Sequence, residues 1–103
     1  SDAYHNRTTQ AGYERMKTEP VTLIDVREPA EYQQGHIPGA RLIPLGTIDE
    51  TIKDKLPDKK KPLIVYCRSG VRSKKAAMKL VELGYTDVRD MGGILDWPYE
   101  IEK

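Results

Sequence analysis

The fold is decided by the stretch Leu63-Ile64-Val65-Tyr66-Cys67-Arg68-Ser69-Gly70-Val71-Arg72, which joins an apolar run to a short basic segment. The apolar residues 63–66 predict a central strand, and a helix is predicted over residues 71–83. Backbone N–H groups at a helix start have no intrahelical partner and carry the positive end of the helix dipole. A loop of this kind can bind an anion, and a cysteine at its mouth should be held as thiolate, the nucleophilic form.

Outward from this stretch, the pattern alternates between strands and helices. Residues 21–26 are apolar almost throughout, which is typical of a strand buried on both faces of a parallel sheet. Strands are also predicted over residues 40–43 and 86–91, the last at or near an edge because it is half charged. Helices are predicted over residues 8–17, over 30–34, over 47–56 with Ile48, Ile52 and Leu56 on one face, and around Leu95 and Trp97.

This order of elements, a helix followed by alternating strands and helices, predicts an α/β fold. The expected architecture is a three-layer α/β/α domain with a mainly parallel central sheet. The 103 residues are expected to form a single domain, residues 1–103, with its core from about residue 8 to about residue 100. In open parallel sheets, ligands bind beyond the carboxyl ends of the strands, and Cys67 is predicted to lie at that edge.

The net charge of +1 and the single cysteine argue against several classes of function. A near-neutral chain lacks the basic field of a nucleic-acid binder, and no apolar run approaches the roughly 20 residues of a membrane-spanning helix, so we expect neither partner. One cysteine forms no internal disulfide, and His5 and His36 lie too far apart for a metal site, so we expect no metal and no cofactor. We expect a cytoplasmic protein, or a periplasmic one if a signal peptide has been removed; whether Ser1 is native stays open.

Residues 68–72 supply the groups that a reactive thiolate needs. A free thiol is only a few per cent ionised at neutral pH, so nearby positive charge and oriented N–H donors are required. Arg68 and Arg72 provide charge and paired donors for an oxyanion, Ser69 adds a hydroxyl, and Gly70 lets the backbone turn. Together with the backbone of Val71, these residues are predicted to form an anion-binding loop.

Lys74 and Lys75 fall in the first turn of the helix predicted after this loop. Cations there oppose the helix dipole at a cost of about a few tenths of a kcal/mol each, so helix stability alone would favour Asp or Glu. With Arg68 and Arg72 they form a positive rim that we expect to draw in a small anion. The alternative is that both lysines point to solvent and have no role.

Four segments together resemble the rhodanese family of sulfurtransferase domains, in its single-domain form. They appear in the family's order between about residues 8 and 100, and only their combination is specific. They are Asp25-Val26-Arg27-Glu28 at a strand end, the turn Gly35-His36-Ile37-Pro38-Gly39-Ala40, the active-site loop Cys67-Arg68-Ser69-Gly70-Val71-Arg72, and the closing Gly92-Gly93-Ile94 with Trp97.

The resemblance implies a reaction and assigns roles within the loop. Cys67 would attack the outer sulfur of thiosulfate or a similar small anionic donor, expel sulfite and become a persulfide held by the loop amides. An acceptor, which the family supplies as cyanide, a small thiol or a protein thiol, then takes the sulfur, so ping-pong kinetics are expected. The resemblance makes Arg68 and Arg72 the side chains that touch the oxyanion of the donor.

Two other functions stay open. The same persulfide would serve a sulfur-relay or interaction module if a partner protein delivers or collects the sulfur. Related folds also use a Cys and an Arg around an oxyanion in phosphatases and arsenate reductases. Four residues separate Cys67 from Arg72 here, and the phosphatase relatives have one more, so the spacing of amide donors disfavours phosphate.

Residues outside the loop are expected to support the site. In the family, the motif that holds Asp25 and Arg27 lies at a strand end near the active site. For Asp25 and Arg27, a fixed ion pair or a helix-capping contact is preferred over direct catalysis. His36 sits in a Gly/Pro turn and is interpreted as structural rather than as a general base. Trp97 and Leu95 are expected to belong to the core or to close one end of it.

Overall fold

One sheet of parallel strands organises residues 2–103, the part of the chain that the computed structural model describes; Ser1 lies outside it. The strands are β1 (Tyr4–Asn6), β2 (Thr22–Asp25), β3 (Arg41–Leu42), β4 (Leu63–Cys67) and β5 (Val88–Gly93). Their order across the sheet is β1-β5-β4-β2-β3, so β4 is central. The prediction of a mainly parallel sheet is confirmed.

Helices cover both faces of this sheet. They are α1 (Thr9–Thr18), α2 (Pro29–Gln34) and α3 (Val71–Glu82). α1 begins where the Thr8 side chain accepts a hydrogen bond from the backbone N–H of Ala11, and α2 begins at a capping box between Glu28 and Glu31. α3 is followed by Gly84, whose positive φ suits glycine after a helix end.

The core divides into two clusters because successive side chains of a strand point to opposite faces. In β4, Leu63, Val65 and Cys67 face α3, where Ala76, Ala77 and Leu80 are buried. Ile64 and Tyr66 face the opposite cluster, against which Tyr13 and Met16 of α1 pack. The three-layer α/β/α architecture follows from this division.

Two details of the predicted order are wrong. A strand, β1, precedes the first helix and pairs with β5, so β5 lies one strand in from the edge, in agreement with its predicted place at or near an edge. Residues 47–56 form no amphipathic α-helix, because extended backbone at Ile48 and Asp49 separates two 3-10 helices, Leu45–Thr47 and Glu50–Asp54. The Asp49 side chain caps the second by accepting from the backbone N–H of Thr51. The three apolar residues predicted on one face, Ile48, Ile52 and Leu56, are nevertheless buried.

The carboxyl ends of β2, β4 and β5 meet at one edge of the sheet. Asp25, at the end of β2, pairs in register with Tyr66 of β4. Cys67, at the end of β4, lies opposite Gly93 of β5, after a register shift that follows Val65. No helix within residues 2–103 is both long and apolar enough to span a bilayer.

Candidate active site

Cys67 ends the central strand and begins the turn into α3. The residue is 1% exposed, so its sulfur sits at the base of the loop rather than on the open surface. The backbone N–H of Gly70 donates a hydrogen bond to Cys67 Sγ at 3.0 Å. This contact places an oriented backbone donor against the sulfur atom.

The backbone of the loop is shaped around this contact. Gly70 is the N-cap of α3 and has φ = 109°, a left-handed conformation that glycine adopts without steric cost. Among residues 2–103, the backbone N–H groups of Ser69, Val71 and Arg72 have no hydrogen-bond partner. These unused donors at a helix N-terminus are the groups that can receive negative charge on a bound molecule.

Gly93 of β5 lies in close contact with the backbone of the loop. A Cβ at position 93 would overlap the Arg68 carbonyl group and the Ser69 Cα. The carbonyl oxygen of Arg68 also accepts a hydrogen bond from the backbone N–H of Leu95 at 3.2 Å. The loop can therefore pack against β5 only because no side chain stands at Gly93.

A buried hydrogen-bond network supports the loop from below. The Ser73 hydroxyl lies 2.7 Å from Asp90 Oδ1 and 3.1 Å from the carbonyl oxygen of Gly70. Asp90 also accepts from the Gly92 backbone N–H at 3.0 Å and from the Tyr4 hydroxyl at 3.2 Å. Sequence analysis missed this network; a serine on the buried side of α3 and an aspartate in a strand were its only signals.

Arg72 forms an ion pair with Glu31, which was not predicted from the sequence. Its Nη1 and Nη2 donate to the two carboxylate oxygens of Glu31 at 2.6 and 2.9 Å. These hydrogen bonds lower the pKa of Glu31 to about 2. The pKa of Arg72 is raised, first by the hydrogen bonds with Glu31 and to a lesser degree by the nearby Cys67. Contact between the Arg72 side chain and a donor therefore stays a prediction.

Three cations of the predicted rim remain without an ion pair among residues 2–103. Arg68, Lys74 and Lys75 are all exposed. Two clefts flank the loop. One, of about 410 Å³, is called the lysine cleft below and is lined by Asn6, Ser69, Gly70, Val71, Lys74, Lys75, Asp90 and Gly92.

The other cleft, of about 400 Å³, is called the aromatic cleft below. It is lined by Arg27, Glu31, Gln34, Gly35, Arg68, Ile94, Trp97, Tyr99 and Ile101. The loop carrying Cys67 thus separates a cleft that contains two lysines from one that contains Arg68 and aromatic side chains.

Asp25 and Arg27 form the fixed ion pair that was preferred over a catalytic role. Arg27 Nη2 lies 2.7 Å from Asp25 Oδ2, and the backbone N–H of Arg27 donates to Asp25 Oδ1 at 2.9 Å. The same Nη2 also donates to the Gly35 carbonyl oxygen at 2.8 Å. Both side chains are buried, and this pair fixes the turn beside the aromatic cleft.

His36 and Trp97 hold the C-terminal segment in place. The backbones of His36 and Glu102 exchange two hydrogen bonds of 2.8 Å, and the His36 ring stacks on Tyr32. The Trp97 indole N–H donates to the Glu100 carbonyl oxygen at 2.9 Å, and the residue is buried as expected. The expectation for Leu95 is wrong: its side chain is 62% exposed.

Comparisons with known proteins agree on one family. The rhodanese-like domain model matches residues 8–99. The thiosulfate sulfurtransferase PspE of Escherichia coli (strain K12) is 47% identical over 73 residues, which cover 71% of this chain and 70% of that protein. The thiosulfate sulfurtransferase GlpE of Pseudoalteromonas translucida is 39% identical over 85 residues, which cover 82% of this chain and 79% of that protein.

Solved structures agree as well. A rhodanese with anions from E. coli superimposes with a TM-score of 0.75 at 42% identity, covering 82% of this chain and 99% of that one. A rhodanese-related protein from Thermoplasma volcanium superimposes with a TM-score of 0.80 at 32% identity, covering 96% of this chain and 98% of that one.

Proposed function

This chain belongs to the rhodanese-like domain family, and we propose that it is a thiosulfate sulfurtransferase that carries sulfur as a Cys67 persulfide. The observation that supports the mechanism is the Gly70 N–H directed at Cys67 Sγ, inside a loop whose neighbouring N–H groups have no partner in the described part of the chain. A thiolate supported in this way is the nucleophile that sulfur transfer requires.

In the first half-reaction, Cys67 becomes a persulfide. The thiolate attacks the outer sulfur of thiosulfate, an S–S bond forms, and the bond from that sulfur to the sulfonate sulfur breaks with its electron pair leaving on sulfite. One negative charge stays on the outer sulfur of the persulfide. The unused N–H groups of Ser69, Val71 and Arg72 are the donors available to stabilise this charge.

Lys74 and Lys75 favour an anionic donor at this step. Both are exposed and line the lysine cleft beside Ser69 and Gly70. Cations near the mouth of a site raise the local concentration of an anion and its association rate, and salt screens this effect. The preference for thiosulfate over neutral donors is therefore expected to weaken as ionic strength rises.

In the second half-reaction, an acceptor removes the sulfur. Cyanide attacks the outer sulfur, the S–S bond to Sγ breaks, and the products are thiocyanate and the Cys67 thiolate. A thiol acceptor acts as its thiolate and leaves as a persulfide. Neither step needs a metal or a redox cofactor to balance, and the two chemical steps occur at one sulfur, which predicts ping-pong kinetics.

Phosphatase chemistry is not favoured by the geometry. Four residues separate Cys67 from Arg72, and both terminal nitrogens of Arg72 are bound to Glu31. A guanidinium held in this way is not directed at a phosphate in the loop.

Intact mass spectrometry tests the persulfide directly. Incubation with thiosulfate should add one sulfur atom per chain, and cyanide should remove it with formation of thiocyanate. Cys67→Ala provides the matched control, because Cys67 is the only cysteine. A sulfur adduct that forms in Cys67→Ala, or the absence of any adduct in the natural protein, would contradict the proposal.

A further inference from the structure

A further cleft, of about 300 Å³, lies between α1 and the sheet, on the face opposite α3. Its apolar lining comes from Ala11 and Gly12 of α1, Ile64 of β4 and Met91 of β5. Ile64 and Met91 belong to the core cluster on the α1 face, whereas Cys67 faces α3. Within the described part of the chain, no residue of the loop after Cys67 lines this cleft, so a molecule held in it leaves the candidate active site open.

Three arginines, at positions 7, 15 and 89, also line this cleft, which is called the arginine cleft below. Arg89 donates to Asp87 Oδ1 through Nε alone, at 3.1 Å, and its terminal nitrogens have no hydrogen-bond partner within residues 2–103. Arg15 Nη2 lies 2.6 Å from Glu19 Oε1, but the Arg15 Nε is buried without any hydrogen-bond partner. A buried donor without an acceptor is unfavourable, so Arg15 gains from an acceptor brought beside it.

Arg7 adds a positive charge that no acidic group neutralises. It is exposed, it forms no ion pair within residues 2–103, and its Nη1 donates to the Asn6 carbonyl oxygen at 3.0 Å. The one acidic side chain of the lining, Glu14, lies 3.7 Å from Lys17 Nζ. The arginine cleft therefore combines an apolar surface with an unpaired cation and with unused guanidinium donors.

We propose that the arginine cleft binds a small organic phosphate, whose phosphate group meets the arginines and whose apolar group lies over Ile64 and Met91. A carboxylate has two oxygens and is matched by the fork of a single guanidinium. A phosphate monoester presents three terminal oxygens and accepts from several guanidiniums at once, which is the arrangement that three arginines around one cleft offer. The volume is at the low end for small-molecule sites, so the ligand is compact.

Nuclear magnetic resonance of the isotope-labelled chain tests the class of ligand. The protein is titrated at constant pH and ionic strength with phenyl phosphate, inorganic phosphate and benzoate, and the amide signals of Gly12 and Arg89 are followed. Phenyl phosphate should shift these signals and bind about tenfold more tightly than inorganic phosphate, which lacks the apolar group, and than benzoate, which has only two anionic oxygens. Equal dissociation constants for phenyl phosphate and either other probe would overturn the proposal. So would shifts confined to Ser69 and Gly70, because the anion would then lie in the loop after Cys67.

Neutral substitutions of the arginines test the location. Arg7→Gln and Arg89→Gln should each raise the dissociation constant for phenyl phosphate about five- to tenfold, because each removes a guanidinium from the lining. Arg7 is exposed and unpaired within residues 2–103, so Arg7→Gln keeps the test valid even if Arg89→Gln is unstable. Arg41→Gln is the matched control, since Arg41 is an exposed arginine outside the cleft. Natural affinity in both cleft variants, or an equal loss in all three, would contradict the assignment.

Filling the cleft tests the same site without a change of charge. Ala11 is an exposed residue of α1 that lines the cleft, so the ring introduced by Ala11→Phe should occupy the space of the ligand and raise the dissociation constant more than about tenfold. Gln10→Phe places the same ring on the same helix at an exposed position that does not line the cleft, and should bind phenyl phosphate like the natural protein. If the two variants bind phenyl phosphate equally, the arginine cleft is not its site.

Discussion

The ends of β2 and β4 lie side by side at the same edge of the sheet, yet they differ in how many polar groups are left unused. At the end of β2, Asp25 and Arg27 satisfy one another, and Arg27 also binds the Gly35 carbonyl. At the end of β4, the loop after Cys67 keeps N–H groups that have no partner within residues 2–103, and two nearby lysines have no ion pair there. Position at the carboxyl edge therefore does not by itself leave donors free; the loop after Cys67 keeps them beside the sulfur that we propose as the nucleophile.

Removing the charge partner at the end of β2 should give the largest effect on stability. Asp25→Ala leaves the Arg27 guanidinium buried without its carboxylate, which is expected to lower the free energy of unfolding by about 3–5 kcal/mol. Urea denaturation measures the change. The double variant Asp25→Ala/Arg27→Met should lose much less. A loss below about 1 kcal/mol in the single variant would show that the ion pair does not stabilise the turn after β2.

Next in size is the effect of a side chain at Gly93. Gly93→Ala would force the backbone at Arg68 and Ser69 to move, at a cost of about 1–3 kcal/mol. Because the donors would leave their positions around Cys67, sulfur transfer should fall by about 10- to 100-fold. Gly46→Ala is the control, since a Cβ there meets no atom within 4 Å. Natural activity in Gly93→Ala would mean that the loop does not depend on this contact.

A smaller effect is expected when the network beneath the loop is cut. Ser73→Ala removes the hydroxyl that lies within hydrogen-bond distance of both Asp90 and the Gly70 carbonyl oxygen, and should cost about 1–2 kcal/mol of stability. It should also slow alkylation of Cys67 by iodoacetamide at neutral pH, because the Gly70 peptide loses one constraint. Tyr4→Phe removes only the bond to the other oxygen of Asp90. If both variants slow alkylation equally, Ser73 has no particular role in orienting Gly70.

The smallest effect on stability is expected from the ion pair between Glu31 and Arg72, which links the helix after β2 to the loop after β4. The pKa of Glu31 is lowered to about 2 by its hydrogen bonds with Arg72. The pair therefore contributes fully above the ordinary pKa of 4.5, and its contribution disappears as the pH falls towards 2. Both side chains are about one-third exposed, so we expect only about 0.5–1 kcal/mol.

Unfolding of Glu31→Gln at several pH values tests this linkage. The variant should be less stable than the natural protein at neutral pH, and the two stabilities should converge at about pH 2. A difference that stays constant over this range would show that ionisation of Glu31 is not the cause.

Local sequence signals predicted much of the site. An apolar run followed by Cys67 and a basic loop gave the central strand, the turn and the start of α3, because these features depend on neighbouring residues. The helical spacing of apolar residues gave a wrong prediction over residues 47–56. There the Asp49 side chain accepts a hydrogen bond from the backbone N–H of Thr51, and the segment is divided at this point. β1 was missed because three residues give little periodic signal, and its pairing with β5 is a distant contact.

The sequence by itself determined the order of the central elements, the position of the cysteine that we propose as the nucleophile, and the glycine that allows the loop to turn towards it. Only the tertiary structure decided which charges stay free. Arg72 pairs with Glu31, Ser73 bonds to Asp90, and Arg68 has no ion pair within residues 2–103. These differences depend on how distant segments of the chain pack against the sheet. Local chemistry specifies which groups a loop carries, and packing specifies which of them remain available to a ligand.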